Sequence, residues 1–379
     1  MSEWKKIKLK EILKEVSERN KGEKVKRVLS VTNSQGFVDQ EDYFEGTVHS
    51  TNISNYKIIR KNQFAYNPSR VNVGSIDILK KYDEGAISPM YVIFEVDESK
   101  ILPEYFMFYF QTHRFFENVK NNTQGSVRNS LNFKALADFD YLLPPLEEQR
   151  KIVKVLNNVD SIIKKIDGNN YFLQEYIEFI MNKELNKSND MIKIKEIGEI
   201  VTGSTPKTSE MDNYGEEYLW ISPADMGQNK YIEDSCKKLS LKGFAKTRKL
   251  KKGSVLVTCI GSTIGKIGIV NQECSTNQQI NAICLNEKFE TEYVYYAIKY
   301  NFKYFRDYIS TQAVPIINKT IFGNLEIPNK NIDEQQKISY VLKKIDDKIE
   351  KNKLLKKEFL ILKKGLMQQL LTGKIKVKI

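Results

Sequence analysis

Two stretches of the chain place apolar residues at steps of three and four. In the first, Ile152, Val155, Val159, Ile162 and Ile166 form the stripe, and Tyr171, Leu173, Ile177 and Ile180 continue it beyond Asp167-Gly168-Asn169-Asn170. In the second, Ile338, Val341, Ile345 and Ile349 lead into Leu355, Phe359, Leu362, Leu366 and Leu370, and Thr372-Gly373 supplies a stop. Lys, Glu and Asp fill the other faces, so both stretches predict amphipathic helices. A helix of about 40 residues is about 60 Å long at 1.5 Å per residue. Gly168 predicts a kink or break in the first one. Elsewhere, short β-branched and aromatic runs (VLSVTN, MYVIFEV, SVLVTCI, QINAICL) alternate with Gly, Pro and Asn turns and predict α/β domains rich in sheet.

The same blocks occur twice in the same order. Residues 7–12 (IKLKEI) match 192–197 (IKIKEI), and 60–74 (RKNQFAYNPSRVNVG) match 251–265 (KKGSVLVTCIGSTIG) in pattern. Residues 103–110 (PEYFMFYF) match 291–298 (TEYVYYAI), 124–133 (QGSVRNSLNF) match 312–319 (QAVPIINK), and 143–153 (LPPLEEQRKIV) match 327–339 (IPNKNIDEQQKIS). The chain is two copies of one unit.

A stripe this long has too little surface to cover it on a small domain, and one chain supplies two of them. Pairing them with each other is the simplest burial, with local packing of each stripe on its own domain as the alternative. The expected fold is α+β: two similar α/β domains separated by an intramolecular antiparallel coiled coil of two long helical regions, a pseudo-two-fold internal repeat. The expected spans are 1–142 and 189–327 for the domains, and 143–188 and 328–379 for the helical spacers. Two readers at fixed spacing suit a two-part site on a linear polymer.

Composition narrows the partner. With 60 Lys and Arg against 48 Asp and Glu, the net charge is +12, which suits a polyanion such as double-stranded DNA. Cys236, Cys259, Cys274 and Cys284 form no Cys-x-x-Cys pair and lie far in sequence from His49 and His113, so reduced thiols are expected and neither a metal site nor a disulfide framework. The first residues are charged throughout and no run approaches a membrane span, which points to a cytoplasmic protein with no membrane partner.

Several loops carry base-reading chemistry. Arginine pairs bidentately with guanine, and Asn or Gln with adenine. Tyr66, Asn67, Ser69 and Arg70 occupy one turn, and Gln124, Ser126, Arg128 and Asn129 repeat that chemistry later in the first copy. In the second copy the candidates are Ser204, Thr205 and Lys207 near the domain start, Ser262, Thr263 and Lys266, and Asn277, Gln278 and Gln279. Residues 237–252 (KKLSLKGFAKTRKLKK), with Lys246, Arg248 and Lys249, contain no acid and suit phosphate contact, which positions without specifying. Polar, Gly-rich loops also serve as plain turns, and a basic run also serves as a solvated face. Catalytic motifs fail. GSTIGKI at 261–267 is one residue short of a phosphate loop and lacks Ser or Thr after Lys, and NPSR at 67–70 lacks the second Pro and aromatic of an adenine methyltransferase motif. No catalytic residues, metal or chain-bound cofactor are expected.

LPPLEEQRKI at 143–152, IDEQQKI at 332–338 and the closing GLMQQLLTGK at 365–374 resemble the two conserved regions of Type I restriction–modification specificity subunits. GSTP at 203–206, WISPADM at 220–226 and TNQQI at 276–280 are similar to that family's target recognition domains. The resemblance covers essentially the whole chain. It implies two target recognition domains, each reading half of a split DNA site, on helices that act as spacer and as docking surface for two modification (methyltransferase) subunits. Those partners would bind S-adenosylmethionine, and restriction subunits, where present, would bring ATP and Mg. The first domain departs by lacking the GSTP and WISPAD elements, and the Gly168 interruption departs from symmetry of the spacers. A fused methyltransferase would instead methylate DNA alone, a coiled-coil adaptor would bind DNA indifferently to sequence, and a stand-alone regulator would act without modification subunits.

Overall fold

The structure, a computed structural model, describes residues 4–43, 52–123, 130–186, 190–227, 229–309 and 315–377. The chain forms two units, one of residues 1–166 with 355–379 and one of residues 167–354.

The first unit is built on a four-stranded sheet in the order Leu13–Val16, Val92–Val96, Phe64–Tyr66, Ile76–Ile78, all neighbours antiparallel. A second sheet runs Gly36–Asp39, Val28–Thr32, Glu84–Ile87, Lys57–Arg60. Aromatics fill the space beneath the first sheet. Phe64 and Phe94 stack at 5.0 Å, and Phe106 and Phe110 meet them edge-on. That geometry adds to their area burial.

In the second unit the same plan returns. Its main sheet runs Gly198–Thr202, Ile280–Leu285, Val255–Thr258, Ile267–Val270, with Tyr231–Ile232 added at the edge. Val255–Thr258 is buried at every position, as β-branched residues with both faces covered should be. Outer strands pair likewise: Lys5–Lys8 with Asp140–Leu143, and Met191–Lys193 with Glu326–Pro328. Each closing strand follows a short helix capped by asparagine. Asn132 accepts from the Ala135 N–H at 2.8 Å, and Asn318 from the Ile321 N–H at 2.8 Å. The first domain's main sheet thus follows the strand order of the second's without the GSTP and WISPAD elements.

Both stripes are helices of 39 residues, Leu146–Glu184 and Ile332–Leu370, and they pack together antiparallel. In the first unit Asp160 meets Lys363 at 2.7 Å, and in the second Asn170 meets Asn352 at 2.7 Å. The expected break at Gly168 is absent: the helix runs through it. A mid-helix glycine costs only about 1 kcal/mol, and buried Ile163 and Ile166 before it and Ile177 after it hold the stripe in place. Asn170, free in principle to bond its own backbone, is engaged across the pair instead.

One residue joins each long helix to its domain by the same three bonds. Gln149, fully buried, accepts from the Leu102 N–H at 2.8 Å and donates to the carbonyls of Lys100 at 2.9 Å and Pro144 at 2.8 Å. Gln335, also fully buried, accepts from the Glu290 N–H at 2.8 Å and donates to the carbonyls of Lys288 at 3.2 Å and Lys330 at 2.8 Å. Each carboxamide satisfies both of its donors and its acceptor inside the protein. The second unit adds a nearly buried ion pair, Lys230 to Glu292 at 2.8 Å, with Lys230 also donating to the Tyr296 hydroxyl at 3.0 Å and Tyr296 donating to Asp346 on the long helix. Burial and then the Asp346 carboxylate push the Tyr296 hydroxyl far above the ordinary tyrosine range, so it stays a donor.

Gln149→Ala and Gln335→Ala should each destabilise their own unit by about 1–3 kcal/mol, because buried backbone groups lose their partners. Gln149→Glu should be no milder, since a carboxylate would face two carbonyl oxygens. Thermal unfolding followed by circular dichroism checks both.

Candidate nucleic-acid interface

In the first unit, strand Phe64–Tyr66 ends in a tight turn. The Asn67 side chain accepts from the Ser69 N–H at 3.0 Å, the Arg70 N–H bonds the Asn67 carbonyl at 3.0 Å, and Gly74 closes the turn at φ +91. This leaves Ser69 and Arg70 exposed and Asn67 half-buried. Tyr66 is a correction to the expected set: its side chain is fully buried, meets Phe94 edge-on at 6.2 Å, and supports the turn from the core. Strand alternation had to send either Ala65 or Tyr66 inward, and here both faces of the strand are covered. Gln124, Ser126, Arg128 and Asn129 lie outside the described residues. Leu131, two positions beyond them, does meet the turn, since its N–H bonds the Pro68 carbonyl at 3.0 Å.

The second unit repeats that meeting. The turn after Val255–Thr258 touches the stretch at 315–317: Gly261 N–H to the Pro315 carbonyl at 2.9 Å, Ile317 N–H to the Cys259 carbonyl at 2.8 Å. Ser262 is exposed and Thr263 half-buried on it, with Gly261 at φ +96 and Gly265 at φ +93. Lys266 turns away from the surface and donates to the Pro223 carbonyl at 2.8 Å.

Six of the remaining candidates come together beside this turn. Gly203 brings two strand ends into contact, because a Cβ there would lie 2.0 Å from the Asn277 carbonyl oxygen. Next to it the Ser204 N–H bonds the Thr276 carbonyl at 2.8 Å, and the Thr205 hydroxyl donates to the Gln278 side-chain oxygen. The Arg248 N–H bonds the Ser204 hydroxyl at 3.1 Å, and its guanidinium reaches the Thr202 carbonyl at 2.7 Å. Asn277 donates to the Gln279 side-chain oxygen at 2.9 Å, and the Gln279 amide reaches the Ile260 carbonyl at 3.4 Å. The result is a continuous surface of hydroxyl, amide and guanidinium groups in which Thr205, Arg248 and Gln278 are exposed.

The lysines divide. Lys207 and Lys246 share one carboxylate, Glu210, at 3.8 and 2.6 Å, and the Lys246 ammonium holds that carboxyl below its usual range. Lys249 sits over the Phe244 ring at 5.1 Å and is exposed. Two apolar residues outside the expected set also stand at the first surface: Val73 on the turn itself and Met90, whose sulfur lies 3.9 Å from the Asn67 amide, are both more than half exposed. Apolar contact of that kind suits a thymine methyl. Only their position after a Gly- or Pro-bearing turn could have marked them.

Among the described residues no group of His, Cys, Asp and Glu could hold a metal ion, and no helix is long and apolar enough to cross a membrane. Cys259 and Cys274 are buried thiols pushed up to about 12 by that burial.

The family model for the Type I restriction modification DNA specificity domain matches residues 1–170 and 186–358. The putative type I restriction enzyme MjaX specificity subunit of Methanocaldococcus jannaschii is 26% identical, over 99% of this chain and 94% of the relative. The MjaIX specificity subunit of the same organism is 32% identical over 45% of this chain, which spans 40% of that relative's length. The crystal structure of the Type-I restriction-modification system S subunit from M. genitalium superposes with a TM-score of 0.58 at 14% identity, over 97% of this chain and 96% of that one, a likeness of fold.

Proposed function

The chain belongs to the Type I restriction modification DNA specificity family, and on that premise we propose that it reads a bipartite DNA sequence and directs partner methyltransferase subunits to it, with no catalysis of its own. The observation that carries this reading is the repeated meeting of the same two segments. A turn rich in base-pairing groups leaves the strand at Phe64–Tyr66 and again at Val255–Thr258, and each time it touches the chain just before a short Asn-capped helix. Two equivalent surfaces on one polypeptide suit two half-sites. The +12 charge supplies the attraction to phosphates that such a reader needs.

Adenine methylation, with its S-adenosylmethionine, is assigned to the methyltransferase partners, and ATP and Mg to restriction subunits where a complex includes them. Two methyltransferase copies would match the two repeats. The long helices offer them apolar surface: Phe172 and Phe179 on the first and Leu354 on the second are each more than 60% exposed, and the Tyr176 and Phe179 rings stack at 6.3 Å. Exposed aromatics at this density mark a protein contact. The complex would work in the cytoplasm, where the DNA is.

Methylation mapping of DNA from cells with and without this chain tests the assignment. Adenine methylation at a split motif should vanish when the chain is deleted, and an unchanged methylome would rule the assignment out. Within that site, Arg70→Ala should relax one half only, and Gln278→Ala the other, each costing about 1–3 kcal/mol of discrimination in binding assays on half-site variants. Neutralising Lys249 should weaken binding to every sequence and lower the salt slope by about one. Lys246→Gln should do less, because Glu210 already engages that charge.

A further inference from the structure

The two long helices carry nearly the same seam. Gln149 and Gln335 stand 186 positions apart (335 less 149), and the buried seam positions of the first helix have buried counterparts at that offset in the second, with Ile177 against Lys363 as the exception. Ile152, Leu156, Val159 and Ile163 correspond to Ile338, Leu342, Ile345 and Ile349, all buried, with alternating steps of four and three. Such a duplicated seam fits itself as well as its partner. Two copies of the first helix, from two chains, could pair antiparallel by the same apolar contacts, and so could two copies of the second.

Polar residues at the centre of the seam break this degeneracy. Asn352 is nine-tenths buried and donates to the Asn170 side-chain oxygen at 2.7 Å. At the 186-residue offset Asn170 corresponds to Lys356 and Asn352 to Ile166, so neither asparagine has an asparagine at its own repeat position. In a pair of first helices at the native register, Asn170 would therefore lie level with Ile166 of the second copy. In a pair of second helices, Asn352 would lie level with Lys356 of the second copy. Only the mixed pair sets the two asparagines together. A buried amide against isoleucine loses its partner, whereas in the mixed pair the Asn352 amide has the Asn170 oxygen to donate to.

We infer that the Asn170–Asn352 bond is a partner-choice element: it makes each chain's two long helices pair with each other and rejects like-with-like pairing between chains. This keeps one domain of each kind on every helix pair. The inference rests on the helix pair alone and stands whether or not the surfaces read DNA.

The oligomeric state of the full-length chain reports the pairing, because like-with-like pairs form only between two chains. Size-exclusion chromatography with light scattering is run on the chain with the two asparagines intact and on the chain carrying Asn170→Leu and Asn352→Leu. The leucine chain should give at least about tenfold more dimer than the asparagine chain. Its thermal midpoint should stay at or above that of the asparagine chain, because an apolar seam is the more stable one. Asn170→Asp with Asn352→Lys, which restores a mixed-pair preference by charge, should return the dimer to background. Should the leucine chain be insoluble, Asn170→Leu alone is read in the same way. A leucine chain with a lowered midpoint and no dimer would show a merely structural bond and overturn the inference, as would a dimer that persists in the Asp/Lys chain.

Discussion

Two buried carboxamides hold the architecture together. Gln149 and Gln335 each sit in the first turn of a long helix, and each closes three hydrogen bonds to backbone groups of the adjoining domain. Backbone groups at such a junction have few other partners, so the side chain that meets them fixes how the helix leaves the domain. Because the same three bonds recur, the same exit recurs. The same repetition runs through the rest of each unit: the order of the main sheet, the Asn-capped helix, and the turn that presents polar groups at the surface.

The repeats are alike in scaffold and different in surface. Among the described residues the first presents Arg70 with exposed Val73 and Met90, and the second a connected set of Thr205, Gln278 and Arg248. Scaffold bonds are buried and tolerate little change, whereas exposed groups can vary at small cost to stability. That division suits a protein whose frame is constant and whose reading is not. The charges follow the same logic. Lysines paired with Glu210 serve the local structure, and those facing solvent, such as Lys249, are the ones to which the proposed phosphate contacts fall.

Much of this was legible in the sequence because it was written twice. Period-3.6 stripes gave both long helices to within a few residues of Leu146–Glu184 and Ile332–Leu370, and matched blocks gave the repeat. Three features were not legible. Gly168-Asn169-Asn170 reads as a helix breaker because local propensity is all a sequence window contains, while the bond that uses Asn170 comes from a residue 182 positions away. Tyr66 reads as a surface aromatic beside a turn, but the core beneath it, from Phe94 among others, is assembled from distant segments. Lys266 reads as a free cation and in fact spends its ammonium on the Pro223 carbonyl, a partner 43 positions away. In each case a long-range partner decided what a local pattern could not.

Exchange of residues 1–142 for those of a relative with a different target, followed by methylation mapping, tests the central claim most directly. If each repeat is an independent reader on a common frame, one half of the methylated motif should change while the other half and the gap between them stay as they were. A motif that changes in both halves, or in neither, would contradict it.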